Sequence, residues 1–372
     1  MSAVSDRLPT FPWDKLEPYK KTAAAHPDGI VDLSVGTPVD PVPELIQKAL
    51  IDAADSPGYP TVWGTPALRD AITGWVERRL GARGVTHRHV LPIVGSKELV
   101  AWLPTQLGLG PGDRVAYPRL AYPTYEVGAR LARAGYEVYD PETFAAGAAG
   151  TELDPRGLKL LWLNSPSNPT GRVLSKQELT RIVAWAREHG VLVFSDECYL
   201  ELGWEAEPVS VLHPDVNGGS YDGLVAVHSL SKRSNLAGYR AAFLAGDPAV
   251  LAPLLEIRKH GGMMTSAPTQ AAVVAALGDD EHVRVQRERY AARRAALRTA
   301  LEGHGFRIEH SEASLYLWAT RDESCWSTVA HLAERGVLVA PGDFYGEAGA
   351  RHVRVAFTAT DERVRAAVER LA

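Results

Sequence analysis

The sequence is poor in cysteine and lacks long apolar runs. Its two cysteines, Cys198 and Cys325, lie far apart in a chain of 372 residues, so we expect neither a disulfide framework nor a metal site. No apolar run reaches about 18 residues, and the N-terminus shows no secretory signal. A net charge of −5 gives no general attraction to nucleic acid or membrane. These absences predict a cytoplasmic protein without nucleic-acid or membrane partners.

Short apolar segments alternate with helical segments through the first two thirds of the chain. Because apolar and polar residues do not alternate within these segments, we expect strands that are buried on both faces. Repeated strand–helix units predict an α/β fold with a mostly parallel seven-stranded sheet flanked by helices. The seven predicted strands are Val90–Val94, Arg114–Tyr117, Tyr136–Tyr139, Lys159–Asn164, Val191–Ser195, Gly223–Ser229 and Arg240–Ala245.

The pattern changes after Ala245, which indicates a second and smaller unit. A long helical region reaches about Glu302, and shorter strands and helices follow it. This order is typical of an α+β unit, and the chain is long enough for two domains. We therefore expect a large domain over residues 46–270 and a small domain formed by residues 1–45 and 271–372. The Ala/Gly-rich stretch 145–150 is expected to be a surface loop.

A lysine follows one of the predicted buried strands. Lys232 stands in a loop that begins with Ser229 and ends with Arg240. A lysine in this place can form a Schiff base with a carbonyl cofactor, and a hydroxyl and a guanidinium can hold a phosphate. A solvated lysine–arginine pair after a strand explains the same string, so this stretch leaves both interpretations open.

Polar side chains follow two further predicted strands. Asn168 belongs to a proline-rich turn after the strand that ends at Asn164, and Asp196 and Tyr199 follow the next strand. Ligands collect at the carboxyl ends of strands in open α/β sheets, which makes these side chains candidates for a binding site. The alternatives are a connection stiffened by proline for Asn168 and a helix cap or salt bridge for Asp196.

Two other loops offer groups for an anion and for a flat ring. Gly95, Ser96 and Lys97 begin a helix directly after a strand, so their free backbone N–H groups suit an anion. Tyr122 and Tyr125 follow the next strand, and either can stack on a planar ring. Packing of an aromatic side chain at a helix start remains the alternative for Tyr125.

An arginine lies within a predicted strand near the C-terminus. Alternation along this strand places Arg354 on the face opposite Val353 and Val355. An arginine within a core-forming segment needs an anionic partner. A substrate carboxylate bound by two parallel hydrogen bonds would provide one, and so would an acidic side chain of the same chain.

These residues, in this order, resemble the class I/II (fold type I) aminotransferases, which use pyridoxal 5′-phosphate. The resemblance covers nearly the whole chain, from Val31 to Phe357. Each motif alone is weak evidence for this family, but the four motifs in the right order are specific to it. They are Asn168-Pro169-Thr170-Gly171, Asp196-Glu197-Cys198-Tyr199, Ser229-Leu230-Ser231-Lys232 and Arg354.

The resemblance implies a role for each matching residue. Lys232 would form the Schiff base and move the proton, Asp196 would pair with the pyridine nitrogen, and Tyr122 would stack on the ring. Tyr199 and Asn168 would bind the phenolic oxygen, and Gly36 and Arg354 would meet the substrate carboxylate. The residues expected to hold the phosphate are Gly95, Ser96, Lys97, Ser229, Arg240 and, from a neighbouring subunit, Tyr59. A homodimer with its active sites at the interface is therefore expected.

The substrate is indicated by a basic segment that follows the cofactor motifs. Arg258 and Lys259, followed by glycines and methionines, suit a long substrate with a distal anion. This segment, like the loop at Gly36, is similar to that of actinobacterial N-succinyldiaminopimelate aminotransferases of lysine biosynthesis. The alternative is that Arg258 and Lys259 form a solvated helix end. The side-chain arginine of aspartate aminotransferases has no match, which argues against short dicarboxylic amino acids as the specific substrate.

Other functions share parts of this pattern. An aminotransferase of aspartate, aromatic or kynurenine type, or a pyridoxal phosphate-dependent C–S β-lyase, would keep Lys232, Asp196 and Arg354. The effector domain of a transcription regulator can also keep this fold. The expected fold begins by about Val31, which leaves no room for an N-terminal winged-helix domain and argues against the regulator.

Overall fold

The computed structural model describes residues 4–147 and 153–372. The predicted loop over residues 145–150 lies partly outside the described residues, and Ala145 and Ala146 end a helix instead. The helices are α1 (Glu17–Ala24), α2 (Glu44–Asp52), α3 (Pro66–Leu80), α4 (Ser96–Gln106), α5 (Thr124–Ala132), α6 (Pro141–Ala146), α7 (Lys176–Glu188), α8 (Pro214–Asn217), α9 (Leu230–Arg233), α10 (Pro248–His260), α11 (Ala267–Gly278), α12 (Glu281–Gly303), α13 (Cys325–Glu334) and α14 (Asp361–Leu371). Within the described residues, no helix is both long enough and apolar enough to cross a membrane.

Thirteen strands are present in the described part of the chain, and all seven predicted strands of the large sheet are among them. They are β1 (Val31–Asp32), β2 (Val90–Ile93), β3 (Arg114–Pro118), β4 (Gly135–Tyr139), β5 (Leu158–Asn164), β6 (Leu192–Asp196), β7 (Leu224–Ser229), β8 (Ala242–Gly246), β9 (Arg307–Glu309), β10 (Tyr316–Thr320), β11 (Val337–Leu338), β12 (Ala340–Pro341) and β13 (His352–Ala356).

The central sheet has seven strands in the order β2-β8-β7-β6-β5-β3-β4. The pairs from β4 to β7 are parallel, and only β8 runs in the opposite direction. Apolar side chains of β5 are buried on both faces: Leu161 and Leu163 belong to one core cluster, while Leu160 and Trp162 belong to another. The prediction of a mostly parallel seven-stranded sheet flanked by helices is confirmed.

The register of the sheet brings polar residues together at one edge. Asn164, the last residue of β5, pairs with Asp196, the last residue of β6, and Asp196 pairs with Val227 in β7. Ser229 ends β7 two residues further along. Because these strands are parallel, their carboxyl ends lie side by side and present these side chains at a common edge.

A smaller sheet follows in the order β12-β13-β10-β9, with antiparallel pairing throughout. The short strand β1 pairs in parallel with β11, so the chain before α2 joins this second region. A separate apolar cluster, which contains Leu33, Leu317 and Val355, forms its core. The second unit agrees with the expected α+β region, while the division at residues 46–270 stays a prediction.

Local sequence signals account for several helix boundaries. Thr65 accepts a hydrogen bond from the Leu68 N–H, and Pro66 opens α3. Threonine favours the N-cap and proline the first turn of a helix. Over residues 248–260 the sequence indicates a helix only as the alternative for Arg258 and Lys259, and α10 spans this whole stretch. Pro248 starts this helix and Pro253 lies inside it, and an internal proline normally argues against a helix because it removes a backbone donor. Packing of the apolar side chains of α10 overrides that signal.

Candidate active site

A cavity of about 700 Å³ opens at the carboxyl edge of the central sheet, within the size range of small-molecule sites. The structure brings eleven of the predicted site residues to its wall: Gly36, Ser96, Lys97, Tyr122, Asn168, Asp196, Tyr199, Ser229, Lys232, Arg240 and Arg354. Gly95 is not part of the wall, but it precedes Ser96 and lies close to the Arg240 guanidinium. Residues from both sheets and from the N-terminal segment therefore meet in one site.

Lys232 lies in α9, the short helix that follows β7. Its Nζ donates a hydrogen bond to the carbonyl oxygen of Gly36, at 2.5 Å. Desolvation at the cavity floor lowers the pKa of the Lys232 ammonium, and the guanidinium of Arg354 acts in the same direction. A lysine with a lowered pKa presents more of the neutral amine, which is the form that attacks a carbonyl carbon.

Asp196 is a buried carboxylate with uncharged hydrogen-bond donors. Its Oδ2 accepts from the hydroxyl of Tyr125 at 3.0 Å, and its Oδ1 accepts from the backbone N–H of Cys198 at 3.2 Å. Burial raises the pKa of Asp196 above its usual value. A carboxylate in these surroundings gains stability from a cationic N–H partner in the cavity, such as a protonated ring nitrogen.

An anion site is formed where α4 begins. Gly95 has a φ of +98°, and a Cβ at this position would lie 2.0 Å from Nη2 of Arg240. Arg240 is itself held by a hydrogen bond from Nη1 to the carbonyl oxygen of Ala237, at 2.7 Å. The N-terminus of α4, the guanidinium and the hydroxyls of Ser96 and Ser229 thus surround a position that suits a phosphate.

Arg354 also lines the cavity and is 3% exposed. Its Nη1 donates to Oδ1 of Asn168 at 2.9 Å, and its Nη2 donates to the carbonyl oxygen of Ser34 at 2.7 Å. Its Nε has no hydrogen-bond partner among the described residues. No acidic side chain supplies these contacts, so the guanidinium keeps its charge available for a carboxylate in the cavity.

Asn168 is fixed in place by a second asparagine. The Asn168 backbone N–H donates to Oδ1 of Asn164 at 2.7 Å, and Nδ2 of Asn164 donates to the carbonyl oxygen of Asp196 at 3.0 Å. Asn164 therefore connects the turn after β5 with the end of β6. Its position at the end of a buried strand is the same signal that identified Asp196, and it could have marked Asn164 as a site residue.

Several cavity residues are absent from the predicted set. Tyr125, left undecided by the sequence, binds Asp196, and Tyr316 places its hydroxyl 2.8 Å from that of Tyr199. Phe11 and Trp13 of the N-terminal segment also line the cavity. Tyr316 stands in an apolar strand, and no feature of its sequence context distinguishes it from a core residue.

Tyr59 lies away from the cavity within its own chain and is 99% exposed. A tyrosine ring this exposed leaves its apolar surface in water, and contact with another protein surface would bury it. Its predicted contact with the phosphate of a neighbouring subunit stays a prediction.

The prediction that Arg258 and Lys259 face the substrate is wrong for this chain. Arg258 is fully buried in α10 and donates to both carboxylate oxygens of Glu98, at 2.8 and 3.2 Å. Lys259 lies on the outer side of the same helix and pairs with Glu256. The alternative of a solvated helix end holds for Lys259, whereas Arg258 stabilises the packing of α10 against α4.

We expect Arg258→Ala to lower the free energy of unfolding by about 3 kcal/mol, because it leaves the Glu98 carboxylate without its partner. The KM for glutamate should stay within about twofold of the wild-type value, since Arg258 does not line the cavity. Urea denaturation and steady-state kinetics measure the two effects. Lys259→Ala is the matched control and should change neither, because exposed ion pairs contribute about 0.5 kcal/mol. A large rise in KM without lost stability would contradict this assignment.

Comparison with known proteins agrees with this geometry. Residues 28–371 match the family model of aminotransferase class I and II. The chain is 61% identical to 4-dedimethylamino-4-oxo-anhydrotetracycline transaminase of Streptomyces rimosus, over 98% of this chain and 99% of that one. It is 33% identical to LL-diaminopimelate aminotransferase of Gloeobacter violaceus, over 100% and 97% of the two chains. The crystal structure of an aminotransferase from Neisseria meningitidis superposes with a TM-score of 0.89 at 27% identity, over 100% and 98%.

The chain belongs to the class I/II aminotransferases, and it is a pyridoxal 5′-phosphate-dependent enzyme of fold type I. The cavity fits this cofactor. Asp196 would pair with the ring nitrogen, and Lys232 would bond to the aldehyde carbon. Arg240 approaches Gly95 so closely that the two form a cradle for the phosphate. When bound, the cofactor withdraws electrons from the substrate's Cα so that a proton can leave it.

Proposed function

We propose that this aminotransferase moves an amino group between glutamate and N-succinyl-2-amino-6-oxopimelate by a ping-pong mechanism, which yields N-succinyl-LL-2,6-diaminopimelate. The observation that carries the proposal is a lysine at the cavity mouth, Lys97. This cation replaces the predicted pair of Arg258 and Lys259 as a partner for the distal succinyl carboxylate. The likeness to LL-diaminopimelate aminotransferase supports a related carbon skeleton.

Lys97 is positioned to meet an anion that extends out of the cavity. Its side chain is exposed, and its Nζ lies 5.8 Å from the ring centre of Phe11 and 5.9 Å from that of Tyr122. The adjacent acid, Glu98, is already paired with Arg258. Arg354 lines the same cavity and is buried, whereas Lys97 is exposed. We assign the α-carboxylate of the substrate to Arg354 and its distal carboxylate to Lys97.

The remaining residues divide the chemistry among them. Arg354, supported by Asn168 and the Ser34 carbonyl, orients the α-carboxylate and so presents the Cα–H bond to Lys232. Lys232 takes and returns the proton as a general base, since desolvation keeps its pKa low. Asp196 stabilises the charge on a ring nitrogen. The surrounding aromatic side chains exclude water, which strengthens these electrostatic contacts.

We further propose that the active unit is a homodimer in the cytoplasm. Tyr59 carries this part of the proposal, because its exposed hydroxyl has the chemistry to bind a phosphate of the second subunit. Sedimentation velocity measures the dimer directly. Tyr59→Phe should leave the dimer intact and weaken cofactor binding by about fivefold to tenfold, since one hydrogen bond to a charged group is lost.

A substrate panel tests the proposed reaction. Purified protein loaded with pyridoxal phosphate is incubated with N-succinyl-LL-diaminopimelate and 2-oxoglutarate, and glutamate is measured. We expect turnover at least about tenfold faster than with LL-diaminopimelate, aspartate, phenylalanine or kynurenine as donor, because these lack the distal succinyl carboxylate. Equal rates across the panel would contradict the substrate assignment. Release of pyruvate and ammonia from cystathionine without amino transfer would instead indicate a β-lyase.

We expect Lys97→Met to raise the KM for N-succinyl-LL-diaminopimelate about tenfold, because one charge-assisted hydrogen bond is lost while the side-chain volume is kept. The KM for glutamate should change less than twofold, since glutamate lacks the distal succinyl carboxylate that the proposal assigns to Lys97. Steady-state kinetics with the two substrates gives both values. Lys259→Met, an exposed lysine outside the cavity, is the matched control. An equal rise in both KM values would contradict a role at the distal carboxylate.

A polycyclic ketone is a second candidate amino acceptor. Phe11 and Trp13 form an aromatic wall at the cavity mouth, and a relative at 61% identity is named as a transaminase of a tetracycline precursor. Flat aromatic substrates bind more tightly to such a wall because their rings stack on its side chains. Phe11→Ala would then reduce amination of a polycyclic ketone about tenfold and leave the reaction of the succinylated substrate within about threefold of wild type.

A further inference from the structure

Tyr316 connects two parts of the site that bind different molecules. It begins β10, lies at the cavity wall and is 3% exposed. Its register partner in β13 is Ala356, while Arg354 pairs with Trp318 two positions away. The pleat of the sheet therefore places the Tyr316 ring on the same face as the Arg354 side chain.

The ring of Tyr316 supports the guanidinium of Arg354. The Cζ atom of Arg354 lies 4.0 Å from the ring centre, a short distance for a cation over an aromatic face. The two hydrogen bonds of Arg354 to Asn168 and Ser34 hold the guanidinium, and the ring of Tyr316 packs against it, with that of Tyr345 further away at 4.9 Å. The plane of the guanidinium matters because a carboxylate is bound by two parallel hydrogen bonds only when the two groups are coplanar.

The hydroxyl of Tyr316 reaches toward the cofactor side of the cavity. It shares a hydrogen bond with the hydroxyl of Tyr199, at 2.8 Å. Burial opposes ionisation of Tyr316, but the positive charges of Arg354 and Lys232 hold its pKa below the usual value. A Cβ at Gly36 would lie 2.4 Å from the Tyr316 hydroxyl, so the glycine loop that accepts the Lys232 hydrogen bond also confines this ring.

We propose that Tyr316 is a positioning residue that couples the two ends of the site: its ring orients Arg354 for the substrate carboxylate, and its hydroxyl orients Tyr199 for the cofactor's phenolic oxygen. The inference rests on the proposed aminotransferase site and assigns a further residue to it. The two functions use different parts of one side chain. They can therefore be separated by substitution.

Three variants separate these functions. Tyr316→Phe removes the hydroxyl and keeps the ring, whereas Tyr316→Leu removes both. Tyr139→Phe is the matched control: Tyr139 is 5% exposed and donates one hydrogen bond to the Trp162 carbonyl, at 2.9 Å, without lining the cavity. All three are loaded with pyridoxal phosphate. The cofactor absorbance is then titrated with pH in the absence of substrate, and kcat and KM for glutamate are measured.

We expect Tyr316→Phe to raise the midpoint of the absorbance titration by about 0.5–1 pH unit, because a less firmly held Tyr199 stabilises the phenolate form less well. Its KM for glutamate should stay within about threefold of wild type. Tyr316→Leu should show the same midpoint shift and also a rise in KM of about tenfold, because the ring no longer supports Arg354. Tyr139→Phe should match wild type in both measurements.

An unshifted titration midpoint in Tyr316→Phe would overturn the coupling to Tyr199. An unchanged KM in a folded Tyr316→Leu would overturn the role at Arg354. The Phe variant keeps its ring and is expected to fold, so the titration decides the inference even if the Leu variant does not fold. Wild-type protein that shows no lysine-bound cofactor absorbance would overturn the cofactor site itself, an outcome distinct from a failure at Tyr316 alone.

Discussion

Lys232→Ala should reduce transamination by at least about 10⁴-fold, because it removes the amine that attacks the cofactor and the base that moves the proton. The absorbance of the lysine-bound cofactor should disappear. The variant should still fold and still bind the cofactor noncovalently. Asp196 and the phosphate site of Ser229 and Arg240 are unchanged. Among the described hydrogen bonds, the Lys232 side chain makes one, to the carbonyl oxygen of Gly36.

Absorbance spectroscopy and a glutamate assay measure both expected losses. Lys176→Ala is the matched control, since this lysine is half exposed and pairs with Asp215 at the surface. It should keep wild-type absorbance and turnover. A Lys232→Ala protein that retains both the absorbance and the turnover would contradict the assignment of Lys232 as the cofactor-binding lysine.

Arg354→Ala has the second-largest expected effect. It should raise the KM for glutamate by about 10²- to 10³-fold, because two charge-assisted hydrogen bonds to the α-carboxylate are lost. Arg354→Lys should recover little of this affinity, since an ammonium cannot donate two parallel hydrogen bonds to one carboxylate. The spectrum of the bound cofactor should persist in both variants, because Arg354 is not among the residues assigned to the cofactor.

A substrate without a carboxylate provides the control for Arg354. The rate with a simple alkylamine as amino donor should be nearly the same in wild type and Arg354→Ala, because an alkylamine has no carboxylate for Arg354 to bind. A loss as large with the amine as with glutamate would indicate that the substitution damages the site as a whole. That result would contradict a specific role for Arg354 at the α-carboxylate.

Much of the site could be predicted because the fold places it at the ends of strands. Asp196 and Ser229 end apolar strands in the sequence, and parallel pairing brings such ends to one edge. Lys232 follows β7 and Asn168 follows the neighbouring strand β5, each within a few residues. The positions of these candidates follow from local sequence and a general property of parallel sheets, whereas their individual roles come from the family resemblance.

The residues that sequence did not identify depend on contacts between distant parts of the chain. Arg258 and Lys259 are adjacent in sequence, but α10 turns one inward to Glu98 and leaves the other at the surface. Tyr316 gains its contacts only when β10 pairs with β13 and faces the glycine loop near the N-terminus. Helix α10 itself forms despite Pro253. In each of these cases the packing of distant segments determines the outcome, and the local sequence does not.

The central claim is that one cofactor site is assembled from the carboxyl ends of the sheet around Lys232. Its most direct test is to reduce the cofactor-loaded protein with borohydride, digest it and identify the modified peptide by mass spectrometry. The account predicts one pyridoxyl modification, on Lys232, and its absence from the Lys232→Ala protein. Modification of another lysine, or none after loading and reduction, would contradict the account.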